Sequence, residues 1–148
     1  MKFSIDNKGQ LSLEYILSSM IVIIIISLIS VPILLTTIDY SNNIVDAINS
    51  KGEMSKITDA IDYCYTSGKG SRRIVYVDLN QNLNLHFYNN GKIGIASANL
   101  NLSDDSMEIT SFFDYPNLNE NIHLSKGFNK IIVEWNEESN SIEVKKSI

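Results

Sequence analysis

Hydrophobic and polar positions divide this chain into three stretches with different periods. Residues 15–38 form an uninterrupted uncharged run rich in Ile, Leu, Val and Ser. Its 24 residues at about 1.5 Å each reach roughly 36 Å, against about 30 Å of hydrocarbon, so the run predicts a helix able to cross a bilayer with some tilt. Beyond it, Ile44, Ile48, Ile57, Ile61, Cys64 and Tyr65 recur at spacings of three, four and seven among Lys, Asp, Asn and Ser. That pattern predicts an amphipathic continuation to about Thr66. Pro32 removes a backbone donor and predicts a kink or loosening, Gly52 is a candidate interruption, and Gly68 and Gly70 are stop signals.

From Arg72 onward the period is two. Residues 74–79 and 83–88 are β-rich runs separated by Asn80-Gln81-Asn82, which predicts a hairpin. Asn89-Asn90-Gly91 predicts a tight primed turn into a strand over 92–96, and residues 107–113 add another strand. Residues 130–135 and 141–145 flank Asn136-Glu137-Glu138-Ser139-Asn140, a second hairpin. The expected fold class is α+β: a long N-terminal hydrophobic helix followed by an antiparallel β head packed on its second half.

Charge sets the orientation. Lys2 and Lys8 precede the apolar run while Asp39 and Asp46 follow it, so the positive-inside tendency keeps the N-terminus cytoplasmic and sends the head outward. The run is too long for the apolar core of a secretory signal, and no small-x-small site closes it. Ser18, Ser19, Ser27 and Ser30 within it are compatible with close helix packing.

One carboxylate, Glu14, stands at the mouth of the run without a charge beside it. A glutamate at the edge of an apolar environment is costly unless a cation meets it. The residues around it, Gly9, Gln10, Ser12, Glu14 and Tyr15, resemble the Gln-x-Ser-x-Glu-Tyr signature of archaeal type IV pilin precursors, the methanogen-type group with class III signal peptides. The resemblance covers roughly residues 8–38. It implies a prepilin peptidase cutting after Gly9, with Gln10 as the new N-terminus and Glu14 as the fifth residue of the mature chain. It also implies that Glu14 meets the terminal amine of a neighbouring subunit during assembly. Gln10 stands where bacterial pilins carry phenylalanine, so N-methylation of the terminus does not follow.

The organisation this implies is a leader at 1–9, a membrane and filament-core helix at 10–38, an amphipathic continuation at 39–70 and a β head at 71–148. The implied partners are other copies of the chain or related subunits in a helical polymer, the prepilin peptidase, a pilus assembly membrane protein, and the membrane before assembly. The precursor would sit in the cell membrane and the assembled form in an extracellular filament. A different class, a single-span anchored extracytoplasmic binding or adhesion module that does not polymerise, would retain residues 1–9.

Composition narrows the functions. The 148 residues carry a formal charge of −5, and the two arginines, Arg72 and Arg73, form no basic stripe, which argues against a nucleic-acid partner. Removing residues 1–9 takes away two lysines and one aspartate, a net +1, so −5 becomes −6. Cys64 is the sole cysteine; a buried apolar role is expected, with an intersubunit bridge as the alternative. Asn101-Leu102-Ser103 is the one sequon, making Asn101 the candidate glycosylation site.

Nothing assembles into a catalytic set, and no cofactor or metal site is expected. His86 and His123 lack metal-ligand spacing and are expected on strand faces. Gly68-Lys69-Gly70-Ser71 lacks the upstream glycine of a phosphate loop and is expected to close the helix. Asp104, Asp105 and Glu108 follow no EF-hand pattern. Phe112, Phe113 and Tyr115 are expected to close the core beneath a loop.

Overall fold

The structure, a computed structural model, describes residues 7–102 and 106–147, the first five of these by backbone alone. The protein is α+β. One helix, α1 (Asn7–Ser67), is followed by seven strands: β1 (Arg72–Leu79), β2 (Leu83–Asn89), β3 (Gly94–Asn101), β4 (Ser106–Phe113), β5 (Glu120–Leu124), β6 (Gly127–Asn136) and β7 (Ser141–Ser147). The chain divides into two compact units, Met1–Ser41 and Asn42–Ile148. α1 passes through both Pro32 and Gly52 without ending. A single missing donor at Pro32 removes one ladder bond from a long helix and leaves the others in place.

In the second unit, Ala47, Ser50, Met54, Ile57, Ile61 and Cys64 are buried. They alternate by three and four residues, the narrow stripe of a helix packed along its length. Met54, Ile57 and Ile61 each contribute about 1.5–3 kcal/mol by burial, more than the few tenths that separate their helix propensities. The stripe differs in part from the expected one. Ile44 and Ile48 are exposed, because at about 100° per residue Ile48 is rotated well away from Ala47. Tyr65 is also exposed at its edge, although its ring stacks on Trp135 at 5.8 Å.

The strands form two antiparallel sheets, β1-β6-β7 and β4-β3-β2-β5. Residues 74–79 and 83–88 therefore do not make a hairpin. β1 pairs with β6 from Arg72↔Glu134 to Leu79↔Gly127, and β2 pairs with β5 from Leu83↔Leu124 to Phe87↔Glu120. The two ladders are one ribbon bent at a corner, where residues 80–82 and 125–126 carry both chains from sheet to sheet. The corner is tied by amides: Asn82 Oδ1 accepts from the Lys126 N–H at 2.8 Å, Asn80 Nδ2 donates to Asp46 Oδ1 at 2.8 Å, and Asn129 Nδ2 donates to the Ser125 and Gly127 carbonyls. Asn80-Gln81-Asn82 is turn chemistry used for a bend.

The β2–β3 and β6–β7 hairpins form as expected. The β2–β3 loop is longer than a primed turn: its flanking pair is Asn89↔Gly94, and Gly91 alone among its residues has positive φ, at 92°. The side chains of Asn89 and Asn90 hold the loop by accepting from the backbone N–H groups of Gly91, Lys92 and Ile93.

Alternate residues of every strand turn inward onto one core, which the α1 stripe completes. Small residues face inward on β3, namely Gly94, Ala96 and Ala98. They leave room for Phe87 and Phe113, whose rings meet edge-on at 6.1 Å. At the far border of the smaller sheet, β7 has no further strand partner. Its Ile142 N–H donates to the Tyr115 hydroxyl and its Val144 N–H to Glu120 Oε2, each at 3.4 Å.

Candidate functional site

The first unit presents the candidate site: an apolar helical surface with one acid at its start. Every large apolar side chain described from Leu13 to Ile38 is exposed, Leu28 for example at 69%. The helix is long and apolar enough to cross a membrane, and the apolar window has no burial within the chain itself. Such a surface is unfavourable in water and is suited to a cover of lipid.

Hydroxyls along the span turn back to its own backbone. Ser19 Oγ donates to the Ile16 carbonyl at 2.8 Å and Ser27 Oγ to Ile23 at 2.8 Å. Thr36 and Thr37 both donate to the Ile33 carbonyl, at 2.9 and 2.8 Å. Each hydroxyl proton is thereby satisfied without water, which an apolar surrounding requires.

Ser12, Glu14 and Tyr15 are exposed on the helix, and among the described residues Glu14 has no ion-pair partner. The backbones of Gly9 and Gln10 are helical, while their surroundings lie outside what is described. Glu14 stands four residues after Gln10, one turn along the same helix face.

The head has its own set of polar groups. Cys64 is fully buried, and its thiol donates to the Val133 carbonyl at 3.5 Å. Burial pushes the thiol's pKa up. Asp62 is also pushed upward, chiefly by desolvation, although its Oδ1 accepts from the Asp114 N–H at 2.7 Å. Glu120 follows the same logic, with desolvation outweighing the Val144 amide.

Gly68 to Ser71 close the helix. The Gly68 N–H donates to the Cys64 carbonyl at 3.0 Å with φ at 87°, and Gly70 N–H and Ser71 carbonyl both bond Trp135. These amides are spent on capping and strand pairing. Of the aromatic trio, Phe113 and Tyr115 are buried, whereas Phe112 is 59% exposed because it lies on the outer face of β4. Tyr115, Tyr65 and Trp135 form an aromatic cluster with centroids 5.5 to 6.0 Å apart.

Asn101 is exposed at the end of β3; Ser103 of its sequon, with Asp104 and Asp105, lies outside the described residues. Glu108 is exposed on β4. His86 and His123 both stand on the outer face of the larger sheet, as expected. What the sequence did not disclose is that β5 brings His123 next to β2. Its signal was weak, since Asn121 and His123 alternating with Ile122 and Leu124 make a strand of only five residues.

Comparison with protein-family models, with characterised proteins and with solved structures finds no match. The class is therefore argued from the fold and from the helix: an α+β protein whose N-terminal helix is suited to cross a membrane.

Proposed function

We propose that this chain is a structural subunit, major or minor, of an archaeal type IV pilus-like surface filament. The reading is supported above all by the division of labour along α1. Its apolar first half is exposed throughout, and its second half contributes a buried stripe to a β head. In the precursor, lipid covers the first half. Cutting after Gly9 by a prepilin peptidase creates an amine at Gln10, and polymerisation exchanges lipid for neighbouring helices, so apolar contact is conserved as the subunit leaves the membrane.

Glu14 then acquires a cation from a neighbouring subunit's new terminus, which sets the axial register because an unpaired charge in a helical core is heavily penalised. The head faces outward with its acidic surface. No catalytic role is assigned.

The test is the N-terminus of material sheared from cells, read by mass spectrometry. Filaments whose subunits begin at Gln10 support this reading. An intact Met1, recovered only with membranes, would instead identify a single-span anchored adhesion module.

A further inference from the structure

β1 is a border strand of the smaller sheet, paired on one side only, with β6. Two bonds at its ends fix which backbone groups remain. The Trp135 N–H donates to the Ser71 carbonyl just before the strand, and the Asp78 N–H donates to Glu53 Oε2 of α1 at 3.2 Å. Backbone groups alternate sides along an antiparallel strand, so the odd residues of β1 bond β6 while the N–H and C=O of Arg72, Ile74, Tyr76 and Asp78 point away from it. Among the described residues, the outward N–H groups of Ile74 and Tyr76 have no partner.

Such borders are usually blunted by a proline, a bulge, a charge or a covering element. β7 is blunted by Tyr115 and Glu120. The middle of β1 is not: residues 74–77 read Ile-Val-Tyr-Val, uncharged, and pair with β6 residue for residue without a bulge. Val75 and Val77 are buried, whereas Ile74 and Tyr76 are 44% and 64% exposed on the outer face. Asp78 is exposed and has no ion-pair partner among the described residues, and Arg72 reaches Glu134 only loosely, at 3.9 Å.

We infer that β1 pairs with β1 of a second copy of this chain, antiparallel and about a two-fold axis at Val75, joining two three-stranded sheets into one of six strands. The strand's own residues select both the occupant and the register. With Val75 of both copies on the axis, Ile74 faces the second copy's Tyr76 and Arg72 faces its Asp78, each twice by symmetry. An apolar–aromatic pair and an opposite-charge pair both favour a ladder. Moving the axis one residue either way sets Arg72 against Tyr76 or Ile74 against Asp78 and leaves the charges unmatched. Ile74 and Tyr76 of the two copies exchange backbone bonds through the groups that β6 leaves vacant. Glu53 already holds the Asp78 amide and ends the ladder there, so the contact closes at two heads. Every residue involved lies in the head, and the pairing does not rest on the filament reading.

The test is disulfide trapping of the full chain in detergent under mild oxidation, with I74C and Y76C alone and mixed, and with the parent, whose one cysteine is buried, as the blank. Directly opposed residues on paired strands have Cα atoms about 5.5 Å apart, within disulfide reach. The mixture should give a reducible dimer at least about tenfold above either variant alone, because in this register neither residue faces itself. By sedimentation in the same detergent, R72D and D78R should each weaken association about tenfold, and the double reversal R72D/D78R should restore it to within about threefold. D78R breaks no ion pair of the head, so its melting should match the parent's. No dimer from the mixture, equal trapping by I74C or Y76C alone, or a double reversal that stays dissociated would overturn the pairing.

Discussion

The ring of Phe113 lies over Gly94, its cross-strand partner: a methyl group built on Gly94 would stand 2.0 Å from Cε2 of that ring. Both residues are buried, and Phe113 packs edge-on against Phe87 behind them. Gly94→Ala should therefore displace a core ring and destabilise the head by about 1–3 kcal/mol or more. Thermal unfolding of the head, followed by near-ultraviolet circular dichroism, measures it; an unchanged midpoint would show that the ring moves aside freely.

Gly52 is the contrasting case. It is helical, exposed and has open space where a side chain would point. Gly52→Ala should stabilise by about 0.5–1 kcal/mol, because alanine loses less backbone freedom on entering a helix. Chemical denaturation gives the sign directly.

Asp62 and Glu120 both have pKa values raised by burial, so the folded head holds their protons to higher pH than the unfolded chain does. Their contribution to stability is thus greatest in acid and declines as pH climbs from their ordinary values of 3.8 and 4.5 through the raised folded values. Glu143, lowered chiefly by Lys145, acts in the opposite sense, contributing above 4.5 and losing that contribution in acid. Asp62→Asn and Glu120→Gln keep an acceptor oxygen and remove the charge. Each should raise the melting temperature slightly at pH 7 and leave it unchanged once both acids are protonated. A lower melting temperature at pH 7 would show that the carboxylates are favoured where they sit.

Cys64 is fully buried. A thiol reagent should leave native protein unlabelled and react stoichiometrically after unfolding, and non-reducing gels of filaments should show no dimer. Labelling of native protein would show that the thiol is reachable, and a reducible dimer would restore the intersubunit bridge.

Glu14→Ala is the substitution most directed at assembly. Cleavage after Gly9 should continue, while subunit addition weakens by about 3–5 kcal/mol, the cost of leaving one member of a buried ion pair unmatched. Electron microscopy of sheared material from the variant should find few or no filaments; a normal yield would sink the pairing of Glu14 with a neighbouring terminus.

Local pattern reached some of this molecule and missed the rest for a physical reason. The apolar run, the glycines after Ser67 and the β6–β7 hairpin were legible because helix periodicity, capping and tight turns depend on residues close in sequence. The corner was not. Asn80-Gln81-Asn82 has turn composition, but whether it folds a strand back or bends it depends on β5 and β6, some forty residues on. The heptad-like stripe through Ala47, Ser50 and Met54 was hidden as well, since alanine and serine carry little apolar signal and the more conspicuous Ile44 and Ile48 lie off the packed face. The placement of His123 beside β2 rests on the same non-local ladder. The resemblance over Gly9 to Tyr15, by contrast, rests on contiguous residues, and the fold neither adds to it nor tests it.

The border of β7 carries one last implication. Because Tyr115 and Glu120 already occupy the outward-facing amides of Ile142 and Val144, a stray chain approaching that side finds two of the donors it would pair with taken. Continuous strand addition at this flank would first have to displace a tyrosine hydroxyl and a carboxylate.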